Sequence, residues 1–573
     1  MSADMQSLIK DRKYWVEANK RNGFEEGIKR LLTDLYPDRA HFIYELLQNA
    51  EDTKASKVEF RLFSDRVEFY HNGERLFNLK DVESITSIGS SGKRDDITTI
   101  GKFGVGFKAV FAYTDTPEIH SGEFHFKIND CVVPVIIDNK NISDLASRTY
   151  FIFPFNHKLK NKSQAFQEVA DGLKSLADNT LLFLTHIKRI DYKFSDGNRG
   201  SIERVECQDG RIEIHTRYPN GKVDVSYWLR YQKMVNVDDE EGHKKCQIAI
   251  AYALKAEDSS DGQSWKIIPI DGQVSIYFPA TKEVSHLKFH IHAPFASTVA
   301  RDSVRDCQEN RQLRNAIAGL VVDSLFDIRD KGMLTMSFLA VLPNDSDGLS
   351  PFYAYIFREI INAFQVESLT PTRSGIYAPA ITLYRGAARI ADVLGDTDLS
   401  LLLNKKEPLW VANPPQQNQR DDRFLDSLSI ESLNWSQLEE IFNDSNMIGG
   451  KLESWLAKKD DVWLRRFYAL LGEAVAMHYM QFHKLSFSNI VRTLDNEMVP
   501  ANQTFFYPVD KKEIPKGIRF VEPTVYRGGK SEFQKKYARF FLEHIGVSIY
   551  DERAIRACLE TSAFIVTRRH VDK

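Results

Sequence analysis

Glu45, Asn49 and Asp52 stand at i, i+4 and i+7 within Phe42-Ile-Tyr-Glu-Leu-Leu-Gln-Asn-Ala-Glu-Asp52, a spacing that puts all three on one face of an α-helix. Ile43, Leu47 and Ala50 take the opposite face and suit a core. A carboxylate, an amide oxygen and a second carboxylate on one stripe can hold a hard cation and activate a water. Alone, such a stripe reads as a solvated polar face. A second stretch changes the weighting: Ile100-Gly-Lys-Phe-Gly-Val-Gly-Phe-Lys-Ala-Val-Phe111 sets Gly101, Gly104 and Gly106 ahead of a helical apolar pattern. Glycines there let backbone N–H groups approach phosphate oxygens, and a helix N-terminus favours the anion. Singly, a glycine triplet is more often just a turn. A Walker loop is not the alternative, because Gly89-Ser-Ser-Gly92-Lys93-Arg94 has the wrong glycine spacing and Arg where Ser or Thr is needed.

The elements around these residues must bring them together. Residues 6–36 carry Leu8, Tyr14, Trp15, Ile28, Leu31, Leu32 and Leu35 at near-helical spacing, interrupted at Asn22-Gly23. The part before Gly23 is either an arm for a partner subunit or a helix packed on its own domain. Val58 to Leu62 and Val67 to Phe69 alternate as strands and deliver the chain to His71 at a strand end. Residues 78–88 predict a short helix. Residues 89–101 are polar and glycine-punctuated, with cations at Lys93 and Arg94, and suit a lid that closes on phosphate. Strands return over 123–155, and an amphipathic helix is expected over 163–181, giving a layered α/β domain that ends near residue 195.

Residues 196–330 read as strands followed by helix, with strand candidates at 223–229, 246–254 and 274–278 and a polar loop at 257–262. His290 and His292 alternate on a strand but lack a third ligand nearby, which favours a structural role over metal. Beyond residue 330, polar loops at 343–348 and 412–419 separate helical stretches such as 462–477. Trp410, Trp435, Trp455 and Trp463 read as core, since no basic run accompanies them as a base-stacking platform would need. The expected fold class is multidomain α/β (α+β): an α/β sandwich over 1–195, an α+β domain over 196–330, and a mainly helical region over 331–573 with room for two subdomains.

Composition bounds these readings. The 573 residues are 43% hydrophobic and 12% aromatic, enough for real cores and too long for one ordinary domain. The net charge of −3 gives no bulk electrostatic case for nucleic acid or membrane, although a local basic groove stays open. Cys131, Cys207, Cys246, Cys307 and Cys558 are scattered without a Cys-x-x-Cys pair, which argues against zinc and disulfides and suits a reducing cytoplasm. The first ten residues are mixed and charged, unlike a signal peptide, and no apolar run approaches the ~18 residues needed to span a bilayer.

The Glu-x-x-x-Asn-Ala-x-Asp helix at residues 45–52, followed by the Gly-x-x-Gly-x-Gly-Phe box at 101–107, resembles the GHKL ATPases. With Asn72-Gly73, Ile88-Gly-Ser-Ser-Gly-Lys93 and Phe103 to Phe107, the pattern is most similar to the sacsin-like, heat-shock-chaperone-like branch. The resemblance covers roughly residues 24–155 and continues weakly beyond. It implies a Bergerat-fold N-terminal domain that binds and slowly hydrolyses ATP with magnesium. It makes Glu45 the general base, Asn49 the magnesium ligand and Asp52 a contact to the nucleotide or its water shell. Gly101, Lys102, Phe103, Gly104, Val105, Gly106 and Phe107, with Lys93, would wrap the phosphates, and Thr149 takes the place of the late threonine near the base.

The position of the second block, residues 196–330, resembles that of the second domain of GHKL ATPases, which sends a cation to the γ-phosphate. Arg301 and Arg305 are its candidates, four apart and facing one way if on a helical turn, with a structural ion pair to Asp302 or Asp306 the competing reading. One departure matters. The family has Asp-x-Gly-x-Gly, whose Asp accepts a hydrogen bond from adenine, whereas this chain reads His71-Asn72-Gly73-Glu74-Arg75. A neutral histidine accepts only through its unprotonated nitrogen.

The expected function is therefore an ATP-driven lid or clamp cycle acting on a protein or nucleic-acid client, with a homodimer or a partner protein as the assembly. The alternative is a non-hydrolysing, nucleotide-sensing interaction module in a multi-protein complex, for instance in antiviral defence. A histidine kinase ranks below both, because only ~30 to 40 residues precede the Glu45 helix, too few for a paired dimerisation hairpin.

Overall fold

The computed structural model describes residues 3–24, 27, 41–87, 106–138, 147–239, 242–259, 262–297, 303–413, 416–444, 450–482, 485–508 and 517–550. They form a mixed α/β protein of two compact units, residues 1–363 with 414–427, and residues 364–413 with 428–573.

The first unit is organised by one large mixed sheet. Its N-terminal part comprises β1 (Lys57–Leu62), β2 (Arg66–His71), β3 (Glu118–Ser121), β4 (Phe124–Asn129), β5 (Val133–Ile136), β6 (Thr149–Pro154) and β7 (Arg189–Phe194), in spatial order β7-β1-β2-β6-β3-β4-β5. β1 pairs parallel with β7 and the other neighbours here pair antiparallel. Alternation sorts the two faces. Val58, Phe60, Leu62, Val67, Phe69, Phe151 and Phe153 join a core with Ile43, Leu46, Leu47 and Ala50 of the Phe42–Asp52 helix and Ala165, Val169 and Leu173 of the Lys162–Lys174 helix. The opposite face is a ladder of charge: Glu59 binds Arg61 and Lys193, each at 2.9 Å, and Glu68 binds Arg66 at 2.8 Å and the Tyr150 hydroxyl.

The sheet does not stop at residue 195. β7 pairs antiparallel with β8 (Arg199–Glu206), and the meander continues through β9 (Arg211–Arg217), β10 (Val223–Asp239) and β11 (Gly242–Ser259). β12 (Gly262–Ile268), β13 (Gln273–Ile276), β14 (Phe278–Val284) and β15 (His290–His292) complete fifteen strands. The polar stretch expected as a loop at 257–262 is mostly strand, with Glu257 opposite Ser264 and Ser259 opposite Gly262. At the β5 end, Ile137 N donates to His125 O, so by the two-residue period the nitrogens of Val135 and Val133 also face β4 and that of Pro134 faces outward. The Ala3–Arg21 helix packs on its own domain: Val16 meets Val132 and Val133, and Arg12 donates to Glu83 O at 3.2 Å.

The second unit is mainly helical, with short two- and three-stranded sheets. Its helices Asp461–Ala476 and Glu532–His544 approach closely at Gly472, where an added Cβ would lie 2.9 Å from the carbonyl carbon of Tyr537. Trp410 and Trp455 are buried, and Trp455, Trp463 and Phe467 pack ring on ring. The indole N–H groups of Trp410, Trp455 and Trp463 donate to Leu394 O, Asp398 and Val393 O; Trp410 and Trp455 are core residues, and Trp463 packs against the same core.

Candidate functional site

The Phe42–Asp52 helix is buried nearly all round, Glu45 included at 4% exposure. Glu45 therefore does not lie on a solvated stripe. Its carboxylate sits against Gly106, where an added Cβ would lie 2.6 Å from Glu45 Cδ, so a side chain at this position would displace the carboxylate. The two sequence stretches thus meet at one point: the helix supplies the acid, and the glycine box supplies a bare backbone beside it. His41 Nε2 lies 3.5 Å from Glu45 Oε1 one turn back on the helix. Asn49 and Asp52 are half-buried along the same helix. The expected helix after the glycines is a 3₁₀ segment, Gly106–Ala112, shorter than the α-helix anticipated and with a correspondingly smaller dipole.

Phe107 is buried against Phe151 and Phe153. Lys108, next in the chain, is 1% exposed and donates to Ile85 O at 2.8 Å and Cys131 O at 2.6 Å. Burial pushes its pKa down to about 7. This lysine ties the residues after Gly106 to the end of the Leu79–Ile85 helix and to the β4–β5 turn, a clamp the sequence reading did not assign.

The turn after β2 is stapled to the C-terminal end of the Glu45 helix. Glu74 N donates to Thr53 O at 2.8 Å, and Asn72 Oδ1 accepts from Ser56 N at 3.0 Å and Lys57 N at 2.8 Å while its Nδ2 donates to Ser56 Oγ at 2.8 Å. Asn72 is thereby a bridge between strand end and loop. Gly73 packs so closely that a Cβ would lie 2.7 Å from Thr53 Cβ. His71 is 2% exposed, and its Nδ1 accepts from Gly73 N at 3.1 Å. Burial pushes its pKa down to about 4, so the ring is neutral. Thr149 faces His71 across the β2–β6 pairing, with its hydroxyl 2.6 Å from Ser121 Oγ, which in turn accepts from Phe77 N at 3.1 Å.

Lys93, Gly101, Lys102, Phe103, Gly104, Val105 and the lid expected over residues 90–102 lie outside the described residues, as does Arg301. Arg305 is exposed and its guanidinium makes no ion pair among the described residues; Asp306 pairs with Arg311 at 2.8 Å instead. Residues 303–307 carry no helix, which begins at Gln308, so the helical turn expected to align the two arginines is absent there. His290 and His292 are buried and stack on Trp228 and Phe183, and their Nδ1 atoms meet Gln273 N at 2.9 Å and Tyr277 N at 3.3 Å. They are structural. Among the described residues, no group of three or more His, Cys, Asp or Glu could hold a metal by itself, and no described helix is long and apolar enough to cross a membrane.

Sequence reasoning missed Glu51. Its buried carboxylate accepts from Thr185 N at 2.7 Å, His186 N at 2.8 Å and Ile187 N at 2.9 Å, fixing the loop ahead of β7. Arg204 of β8 holds the other side of that loop through Leu181 O at 2.8 Å and Leu184 O, and Arg230 of β10 donates to Leu182 O at 2.8 Å.

The fold and this site define a mixed α/β protein in which a buried carboxylate on a helix that covers the sheet meets the backbone of Gly106. The Sacsin domain family matches residues 68–149, from the middle of β2 to the start of β6. The chain is similar to Protein NO VEIN of Arabidopsis thaliana, at 26% identity over 325 residues, covering 52% of this chain and 12% of that protein. It is likewise similar to Sacsin of Homo sapiens, at 26% identity over 317 residues, covering 44% of this chain and 7% of that protein. Together these matches support a sacsin-like family for this chain, which spans a small fraction of either relative's length.

Proposed function

We propose that the Glu45 helix and the Gly106 segment form a Bergerat-type nucleotide site of the GHKL class, at which ATP is bound with magnesium and hydrolysed slowly. The observation that carries this reading is the direct packing of Glu45 on the bare backbone of Gly106. A carboxylate buried beside a glycine backbone can take a proton from a water lined up on a phosphate that the same backbone approaches. The donor set fits magnesium, which keeps several waters and takes few protein oxygens: the Asn49 amide oxygen would be the protein ligand, with phosphate oxygens and water completing the shell. When bound, the metal neutralises charge building on the phosphates. Glu45 holds the attacking water's proton, and Gly106 leaves room for both. Turnover would drive a lid or clamp cycle acting on a protein or nucleic-acid client; the client follows from neither relative's name, since the chain spans 12% and 7% of them.

Purified protein with magnesium and γ-labelled ATP tests the proposal, because phosphate release, self-labelling and binding alone separate the hydrolase, kinase and non-hydrolysing readings. Glu45→Ala is expected to keep nucleotide binding while hydrolysis falls by about two orders of magnitude. Asn49→Ala is expected to lose magnesium-dependent binding. Wild-type turnover by Glu45→Ala removes the base assignment. The second reading, binding without hydrolysis, is favoured by His41, whose ring lies 3.5 Å from the Glu45 carboxylate and competes with water for it.

A further inference from the structure

We infer that His71 presents a hydrogen-bond donor to the nucleotide base, so that the site takes 6-oxopurine nucleotides such as GTP and ITP at least as well as ATP. The inference rests on the proposed nucleotide site having its base at the end of β2, and it names which base that site prefers. The direction of the donor is fixed by backbone. Gly73 N lies 3.1 Å from His71 Nδ1, and a main-chain N–H can only donate, so Nδ1 must carry its lone pair. Thr53 Oγ1, 3.4 Å from the same nitrogen, gives its one proton to Ala50 O at 2.8 Å and does not compete. The ring is buried and neutral, so its single hydrogen sits on Nε2. Turning the ring over would forfeit the Gly73 bond in a turn already fixed to Thr53 and Ser56.

Nε2 meets no hydrogen-bond partner among the described residues. The side chain lies on the helix-covered face of the sheet, in register with Thr149, and at the C-terminal end of the helix that carries Asn49 and Asp52. In the GHKL ATPases that this chain resembles, the carboxylate in the place of His71 accepts from the amino group of adenine. A histidine locked in this tautomer meets that amino group donor to donor and pairs instead with the carbonyl at C6 of guanine or hypoxanthine. Adenine keeps ring nitrogens that can accept, which limits the effect to a shifted ranking rather than exclusion.

Isothermal titration of the full chain with ATP, GTP and ITP in magnesium tests this, with ITP separating the C6 carbonyl from the additional 2-amino group of guanine. Wild type is expected to bind ITP equally to ATP or up to about tenfold more tightly, the range one neutral hydrogen bond supplies. His71→Asn keeps a carbonyl for Gly73 N–H and an N–H for the base, and should keep that order. His71→Asp turns the donor into an acceptor and should move the preference toward ATP by about tenfold or more. A wild-type preference for ATP over ITP, or an order unchanged in a folded His71→Asp protein, overturns the inference while leaving the nucleotide site standing. If no nucleotide binds, the proposed site itself fails and takes the inference with it. The wild-type ranking decides alone if the aspartate variant does not fold.

Discussion

At the scale of single residues, the site turns on two absences of a side chain. Gly106 gives Glu45 its place, and Gly73 gives His71 its orientation, because Cβ atoms at these positions would lie 2.6 Å from Glu45 Cδ and 2.9 Å from His71 Nδ1. Gly106→Ala must therefore push the carboxylate aside. If Glu45 is the base, hydrolysis is expected to fall by about two orders of magnitude, as for loss of the base itself, while circular dichroism stays native. Unchanged turnover would mean that the carboxylate position does not matter to the chemistry. The Glu45–Asn49–Asp52 stripe was legible because a helix repeats every 3.6 residues and its partners are local. The tautomer of His71 was not, since it depends on where one backbone N–H points after a turn.

At the scale of elements, the Phe42–Asp52 helix is held at its C-terminal end by groups remote in sequence. Glu51 reaches backbone N–H groups 134, 135 and 136 residues away, a distance over which no pattern in the sequence carries information. Its role was not legible in the sequence for that reason. Glu51→Ala leaves three N–H groups without their acceptor, of which that of Ile187 is buried and those of Thr185 and His186 are partly open to water; an unsatisfied buried group costs about 1–3 kcal/mol. A loss of about 1–3 kcal/mol in urea unfolding is expected on those grounds; a loss under ~1 kcal/mol would mean water replaces the carboxylate. The stretch at 257–262 was misread for a related reason. A two-stranded ribbon wet on both faces needs no apolar alternation, so its polar residues looked like a loop although their backbone pairs continuously. Trp410 and Trp455 were read correctly as core, with Trp435 and Trp463 partly buried against it, because large aromatic residues without accompanying basic charge have few other places to go.

At the scale of the molecule, the first unit stores a sensitivity to acid. His71, His290 and His292 are 2%, 5% and 1% exposed, and burial pushes each pKa to about 4 from an ordinary value of 6.5. Between these values the unfolded chain binds protons that the folded chain refuses, so stability falls as pH falls from 6.5 toward 4. By linkage each histidine removes about 2 kcal/mol at pH 5. Urea midpoints measured from pH 8 to pH 5 should hold nearly level above 7 and drop steeply below 6.5, and His292→Asn should shallow the drop. A flat profile would mean these rings are protonated in place. The single sheet also has a bearing on domain reading: strands alternate turn after turn across residue 195 with no composition break, so a boundary placed there marks a change in helix content and not an end of hydrogen bonding.

Among the described residues the sheet has fifteen strands, and such a sheet invites growth, because each outermost strand is a template for the next chain. The β5 end answers this with Pro134, whose nitrogen faces outward and has no hydrogen to offer. Polymerisation through that end is starved of one donor in a strand only four residues long. Pro134→Val restores the donor and lengthens the adhesive stretch, so the variant is expected to form higher-order species in sedimentation velocity at concentrations where the wild type keeps one boundary. Identical boundaries would place the protection elsewhere, in the Ala3–Arg21 helix that packs beside β5 through Val16.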